Sequence, residues 1–249
     1  MENAAAAHVD NPYGPLSLWQ QGSPLQKGVL LMLFIMSFVS WYIILVRVWD
    51  QARLKKAARL VEKQFWTAPS IKDGAERLPK DNDFRKIAED GMRATAHHDG
   101  RLTDRIDLNE WITLSLQRSA AQVNGRLQAG LSFLASVGST APFVGLFGTV
   151  MGILNALIAI GLSGQPSIDR VAGPVGEALY MTAIGLFVAV PAVLGYNWLI
   201  RRNKVLQDYI SGFTGDLHAY LLSGARVAPA ESAASAPRPA VAAAAPARK

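Results

Sequence analysis

From Gly28 to Val46 the chain runs for nineteen residues without a charged side chain. At a helical rise of about 1.5 Å per residue this stretch covers roughly 28 Å, close to the hydrocarbon thickness of a bilayer. Two further charge-free runs, Leu127 to Ile168 and Ala178 to Ile200, also exceed the roughly 18 apolar residues a span needs. The pattern predicts transmembrane helices at 25–48, 129–162 and 174–200. Between the first two lies a polar region, 49–128, in which Leu54 to Trp66 and Phe84 to Ala96 read as helices, broken by Pro69 and Pro79. Thr103 then reads as an N-cap, with Asp104, Asp107 and Glu110 in or near the turns where the helix dipole favours anions. Only isolated glycines interrupt the sequence from there to Pro142, so one helix of some 60 residues, about 90 Å, is expected from Thr103 to Leu162. About a third of that fits in a membrane, and the rest is expected to project into the cytoplasm. The expected fold is an all-α membrane protein with three transmembrane helices, of which the long second and third extend into a cytoplasmic helical domain.

A second pattern lies inside the spans. Ala135, Gly138, Pro142, Gly145, Thr149, Gly152, Ala156 and Ala159 recur at alternating steps of three and four, which places them on one helix face. Ala178, Thr182, Gly185, Ala189 and Ala192 do the same in the third span. In lipid, joining two apolar helices gains little from the hydrophobic effect. Close association therefore needs small residues that let backbones approach, as in the Gly148–Gly152 GxxxG spacing. Packing of span two on span three is one use of these faces. A subunit interface or a narrow central passage is the other, favoured by the length of the stripe in span two.

Charge fixes the orientation. Half of the 249 residues are apolar, 18% are charged, and the mean hydropathy is positive. Arg47, Arg53, Lys55, Lys56, Arg59 and Lys63 follow the first span, and Arg201, Arg202 and Lys204 follow the third. Residues 1–26 hold no Lys or Arg, and the connection between spans two and three holds only Arg170. By the positive-inside rule both basic clusters face the cytoplasm, so 1–24 is a periplasmic segment, 163–173 a short periplasmic loop and 201–223 a cytoplasmic helix. Trp41, Tyr42 and Trp49 stand where aromatic anchors mark a membrane boundary. The net charge of +6 has no aromatic-plus-basic surface motif beside it, so nucleic acid is not an expected partner, and lipid is. The first span lacks a signal-peptide cleavage pattern before Arg47 and is expected to stay uncleaved. Residues 224–249 are rich in Ala and Pro without bulky core formers, a composition that defaults to disorder.

Candidate chemistry is sparse. No cysteine is present, which excludes disulfides, thiolate metal sites and cysteine nucleophiles. His8, His97, His98 and His218 all fall outside the spans, and no serine stands in a G-x-S-x-G setting, so neither an intramembrane enzyme nor a metal or cofactor is expected. His97, His98 and Asp99 read as an exposed loop cluster. Glu177 is the notable group, one residue ahead of the third-span stripe and about 100° round the helix from it. An ionisable side chain within a span usually marks an ion or proton path. Gly173 and Pro174 also read as a helix start, which would make Glu177 a first-turn anion satisfying the dipole. Thr149 and Thr182 lie on the small stripes themselves.

The segments GSTAPFVGLFGTVMGI, Gly138 to Ile153, and VAGPVGEALYMTAIGLFVAVPAVLGYN, Val171 to Asn197, resemble the MotA/TolQ/ExbB proton-channel family, and the resemblance extends over roughly residues 25–215. It implies a homopentameric ring around a central pore that holds the single membrane helices of an ExbD-like subunit. Glu177, Thr149 and Thr182 would then line the route by which that partner's membrane aspartate takes up and releases protons. Gly138, Gly145, Gly148, Gly152, Ala156, Gly185 and Ala189 would be helix-packing positions. The family further implies that proton flow drives rotation or rearrangement of ring against inner helices in the bacterial inner membrane. A TonB-like transducer would carry that work to outer-membrane import, iron chelates among the cargo. The external segment ahead of the first span favours the ExbB branch over the TolQ branch, which serves envelope constriction. The flagellar MotA branch has a four-span design.

Overall fold

The computed structural model describes residues 23–96, 107–163 and 168–224, with residues 163 and 168–172 as backbone only. The Thr103 cap, Asp104, the three residues His97 to Asp99, the N-terminal segment through residue 22 and the tail from residue 225 lie outside the described residues. Every described element is helical: α1 (Pro24–Leu60), a π-helical turn (Val61–Phe65), α2 (Ile71–Arg77), α3 (Asp83–Ala96), α4 (Leu108–Gln128), α5 (Leu131–Ser163) and α6 (Ile168–Ser223). Three helical stretches, within 24–65, 108–162 and 173–223, are long and apolar enough to cross a membrane.

Local chemistry explains where these helices begin. At the start of α1, Ser23 Oγ accepts from the Gln26 N–H at 3.3 Å while Gln26 Oε1 accepts from the Ser23 N–H at 2.8 Å. This reciprocal capping box brackets Pro24, whose fixed φ suits a first helical position. Helix α2 is an element that hydrophobic periodicity does not predict. Ser70 caps it by accepting from the Asp73 N–H at 3.1 Å, and that Ser-x-x-Asp signature stands in the sequence between Pro69 and Pro79.

The expected unbroken helix from Thr103 to Leu162 is not what forms. The chain turns at Ala129–Gly130, where Gly130 has φ +77°, a left-handed conformation that glycine adopts without strain. Side chains take up the carbonyls this break exposes. Arg47 Nη1 donates to Arg126 O at 3.0 Å, and Asn203 Nδ2 donates to Leu127 O at 2.8 Å. The start of the third span also differs. Gly173 and Pro174 lie inside α6, which begins at Ile168. Glu177 is thus the tenth residue of its helix and not a first-turn anion.

The chain forms two compact units. The first joins residues up to 57 with 123–208. Its core holds Leu33, Leu134, Ala141, Met181, Ala192 and Leu199, while Phe34, Phe38, Phe147, Phe187 and Leu194 are turned outward. Outward-facing large apolar side chains suit a surface that meets lipid or other membrane helices. The second unit joins 58–122 with the chain from residue 209. Phe65, Phe84 and Phe213 stack edge to face at its centre, with ring centroids about 5 Å apart. Ile112, Leu116 and Leu217 are fully buried in the same unit, and Gly91 lies directly against Leu116.

Candidate functional site: the three-helix seam

Within the first unit the small faces of α5 and α6 run antiparallel against each other. A Cβ placed on Gly145 would stand 2.6 Å from Met181 O and 3.1 Å from Gly185 Cα. One on Gly185 would stand 2.7 Å from Ala141 O. No side chain fits at either position, because the obstruction is backbone. Gly138 meets a Val193 methyl, and Gly152 meets Ala178 nearer the other end. Ala156 and Ala189 are buried too, whereas Ala159 is exposed. Of the two uses left open for the stripe, packing of span two on span three is the one seen within a single chain.

Helix α1 closes the third side. A Cβ on Gly148 would lie 3.1 Å from Met181 Cβ and 3.2 Å from Val29 Cγ1. One turn along, a Cβ on Gly152 would lie 3.0 Å from both Ala178 Cβ and Gln26 Nε2. The three helices therefore converge at two successive levels, one around Met181, Gly148 and Val29, and one around Ala178, Gly152 and Gln26. Glu177 stands four residues before Met181, and hence on the same face of α6, one turn toward the Gln26 level.

The polar groups of the seam are enclosed by the chain itself. Glu177 is 8% exposed and Thr149 6%, while Thr182 is half-buried. Thr149 Oγ1 donates to Leu146 O at 2.6 Å, the self-satisfying bond by which a threonine is tolerated in a membrane helix. Thr182 backs onto Gly145, where an added Cβ would lie 3.2 Å from Thr182 Cα. Glu177 forms no hydrogen bond or ion pair with any described residue, and beyond it α6 has no charged side chain until Arg201. A carboxyl group that can change protonation, held among apolar helices, is chemically suited to receiving and releasing protons.

Two groups here escape sequence reasoning. Gln26 stands just ahead of the first charge-free run, and its capping-box spacing with Ser23 is the available signal. Asn203 and Gln51 form a buried pair, with Gln51 Nε2 donating to Asn203 Oδ1 at 2.7 Å and also approaching Leu199 O at 3.1 Å. Both follow spans among basic residues, where polarity alone gives no sign of burial. On the outer side of α1 and α5, Leu25, Met32, Phe143 and Phe147 line an open apolar groove of about 510 Å³. None of the residues lining it is an acid or a base.

A family model described as the MotA/TolQ/ExbB proton channel family matches residues 80–211, which include Thr149, Glu177, Thr182 and both small faces. The chain belongs to this family. Among its relatives, the biopolymer transport protein ExbB of Xanthomonas campestris pv. campestris is 44% identical over 208 residues, 80% of this chain and 82% of the relative. The protein of the same name in Neisseria meningitidis is 39% identical over 211 residues, 83% of this chain and 96% of the relative. The Tol-Pal system protein TolQ of Pseudomonas aeruginosa is 32% identical over 210 residues, 82% and 91% of the two chains. Membership in the MotA/TolQ/ExbB family and the three apolar helices make the chain a multi-pass inner-membrane protein. Helix α1 and Gln26 lie outside the segment matched by the family model.

Proposed function

We propose that the chain is the pore-forming scaffold of a proton-motive-force-driven motor in the inner membrane, in the ExbB role of a TonB–ExbB–ExbD system. The observation that carries this reading is the enclosure of Glu177 and Thr149 where three apolar helices converge, in a chain of a proton channel family. Identity of 44% and 39% to the ExbB proteins of Xanthomonas campestris and Neisseria meningitidis, against 32–35% to two TolQ proteins, supports the ExbB branch.

In this reading copies of the chain, five by family likeness, surround the single membrane helix or helices of an ExbD-like subunit. The N-terminus is periplasmic, and the basic clusters after α1's span and in α6 face the cytoplasm. Glu177, Thr149 and Thr182 form the chain's part of the proton route, and the partner supplies the aspartate that shuttles the proton. The Gly145–Gly185 contact gives each copy a rigid wall, so that relative movement occurs between ring and inner helix instead of within the wall. A TonB-like protein takes up the resulting work for outer-membrane import.

The test is purification with and without a candidate ExbD-like subunit, followed by mass measurement of the intact complex. A multimer that retains the partner is expected. A monomer that binds no partner contradicts the scaffold function.

A further inference from the structure

Two side chains in the first unit are more than nine-tenths buried and lack a partner for a strong polar group. Glu177 is 8% exposed and forms no hydrogen bond among the described residues. Gln26 is 7% exposed, and its Oε1 is engaged by the Ser23 N–H, leaving the Nε2 hydrogens directed elsewhere. That nitrogen sits 3.0 Å from the point where a Gly152 Cβ would be, as does Ala178 Cβ, the neighbour of Glu177 in sequence. The level below fixes the rotation of α6, because Met181 meets Gly148 and Val29 there. One turn along each helix, Met181 leads to Glu177, Gly148 to Gly152 and Val29 to Gln26. One group is a donor and the other an acceptor, presented from neighbouring helices on adjoining positions of one level.

We propose that the Gln26 carboxamide is the positioning partner of Glu177: α1 donates a hydrogen bond, through one water or after a side-chain turn, that holds the carboxyl group of α6 in the seam. The proposal rests on the proton-route reading of Glu177 and adds to it a residue beyond the family-matched segment. Gly152 has a role in the pairing, since a Cβ there would stand 3.0 Å from Nε2 and press the amide from its place. The capping box gives Gln26 its second role, anchoring the amide by its oxygen so that the nitrogen is presented at a fixed place.

The two roles separate by substitution. Ser23→Ala removes the hydroxyl half of the cap and keeps the amide, with its oxygen still on the backbone N–H of residue 23; Gln26→Met keeps the volume and removes the donor. Gln26→Leu also removes the donor, with a shorter side chain. Each variant is made in the full chain, purified with its single-span partner, and reconstituted in lipid vesicles. Infrared difference spectra across a pH step then follow the carboxyl stretching band, assigned as the one that Glu177→Gln removes. Expected results are a shift of that band to higher frequency in Gln26→Met and a fall of about tenfold in proton-driven uptake in cells, the scale of one lost hydrogen bond to a charged group. Ser23→Ala is expected to leave both close to the parent chain. Should Gln26→Met fail to assemble, Gln26→Leu serves in its place, with the band again displaced. An unmoved band, or no band that Glu177→Gln removes, overturns the pairing. If Glu177→Gln leaves uptake intact while Gln26→Met moves the band, the proton-route reading falls and the pairing stands.

Discussion

The two units are built on opposite packing rules. The first brings backbones together at Gly145 and Gly185 and turns phenylalanines such as Phe34 and Phe187 outward. The second buries its phenylalanines, with Phe65 and Phe84 both edge-on to Phe213, and carries the Arg85–Glu89 ion pair of 2.7 Å at its surface. The difference follows from the solvent each sequence suits. Water rewards removal of large apolar side chains, whereas lipid does not distinguish them from itself, so close van der Waals contact between helices has to supply the attraction. The same rule explains the polar groups. Within its spans the first unit buries Thr149 and Glu177, and its charged side chains otherwise lie at or beyond the span ends.

The largest effect should come from forcing a side chain into the backbone contact. Gly185→Leu meets Ala141 O and Gly145 Cα and cannot be relieved by a rotamer change, so the α5–α6 pair should separate and assembled complex should be lost from detergent extracts. Gly138→Ala meets a Val193 side-chain methyl and not backbone at the closest point, so it should cost less and retain more of the assembled complex. Equal loss in both would mean that the seam is not set by backbone approach. In the second unit, Phe213→Ala should cost about 3–5 kcal/mol by denaturant unfolding monitored within that unit, the usual range for an emptied aromatic site. A change below about 1 kcal/mol would remove the contrast between the two packing rules. Smallest is Ser70→Ala, which deletes the α2 cap and should cost about 1 kcal/mol without affecting assembly.

Much of the first unit is legible in the sequence because membrane spans obey a length rule and small residues recur at helical spacing. Thr149, Gly145 and Gly185 can be placed on facing stripes from spacing alone. The break at Ala129–Gly130 cannot, since one glycine in an apolar run is compatible with a continuous helix. Its left-handed turn is held by Arg47 and Asn203, which are distant in sequence. Gly173–Pro174 misleads for the converse reason: proline suits a helix start, yet α6 carries it within the helix. Gln26 is easily overlooked because a single amide beside a span has no periodicity. Its position emerges only when α1 is packed against Gly152.

Proton-driven uptake in cells carrying Glu177→Ala, read alongside the mass of the intact complex, most directly tests the central claim that the seam carries protons. Uptake should vanish while the complex keeps the mass of the parent assembly, with Thr149→Val behaving in the same way. Undiminished uptake by fully assembled Glu177→Ala would remove the seam from the proton route.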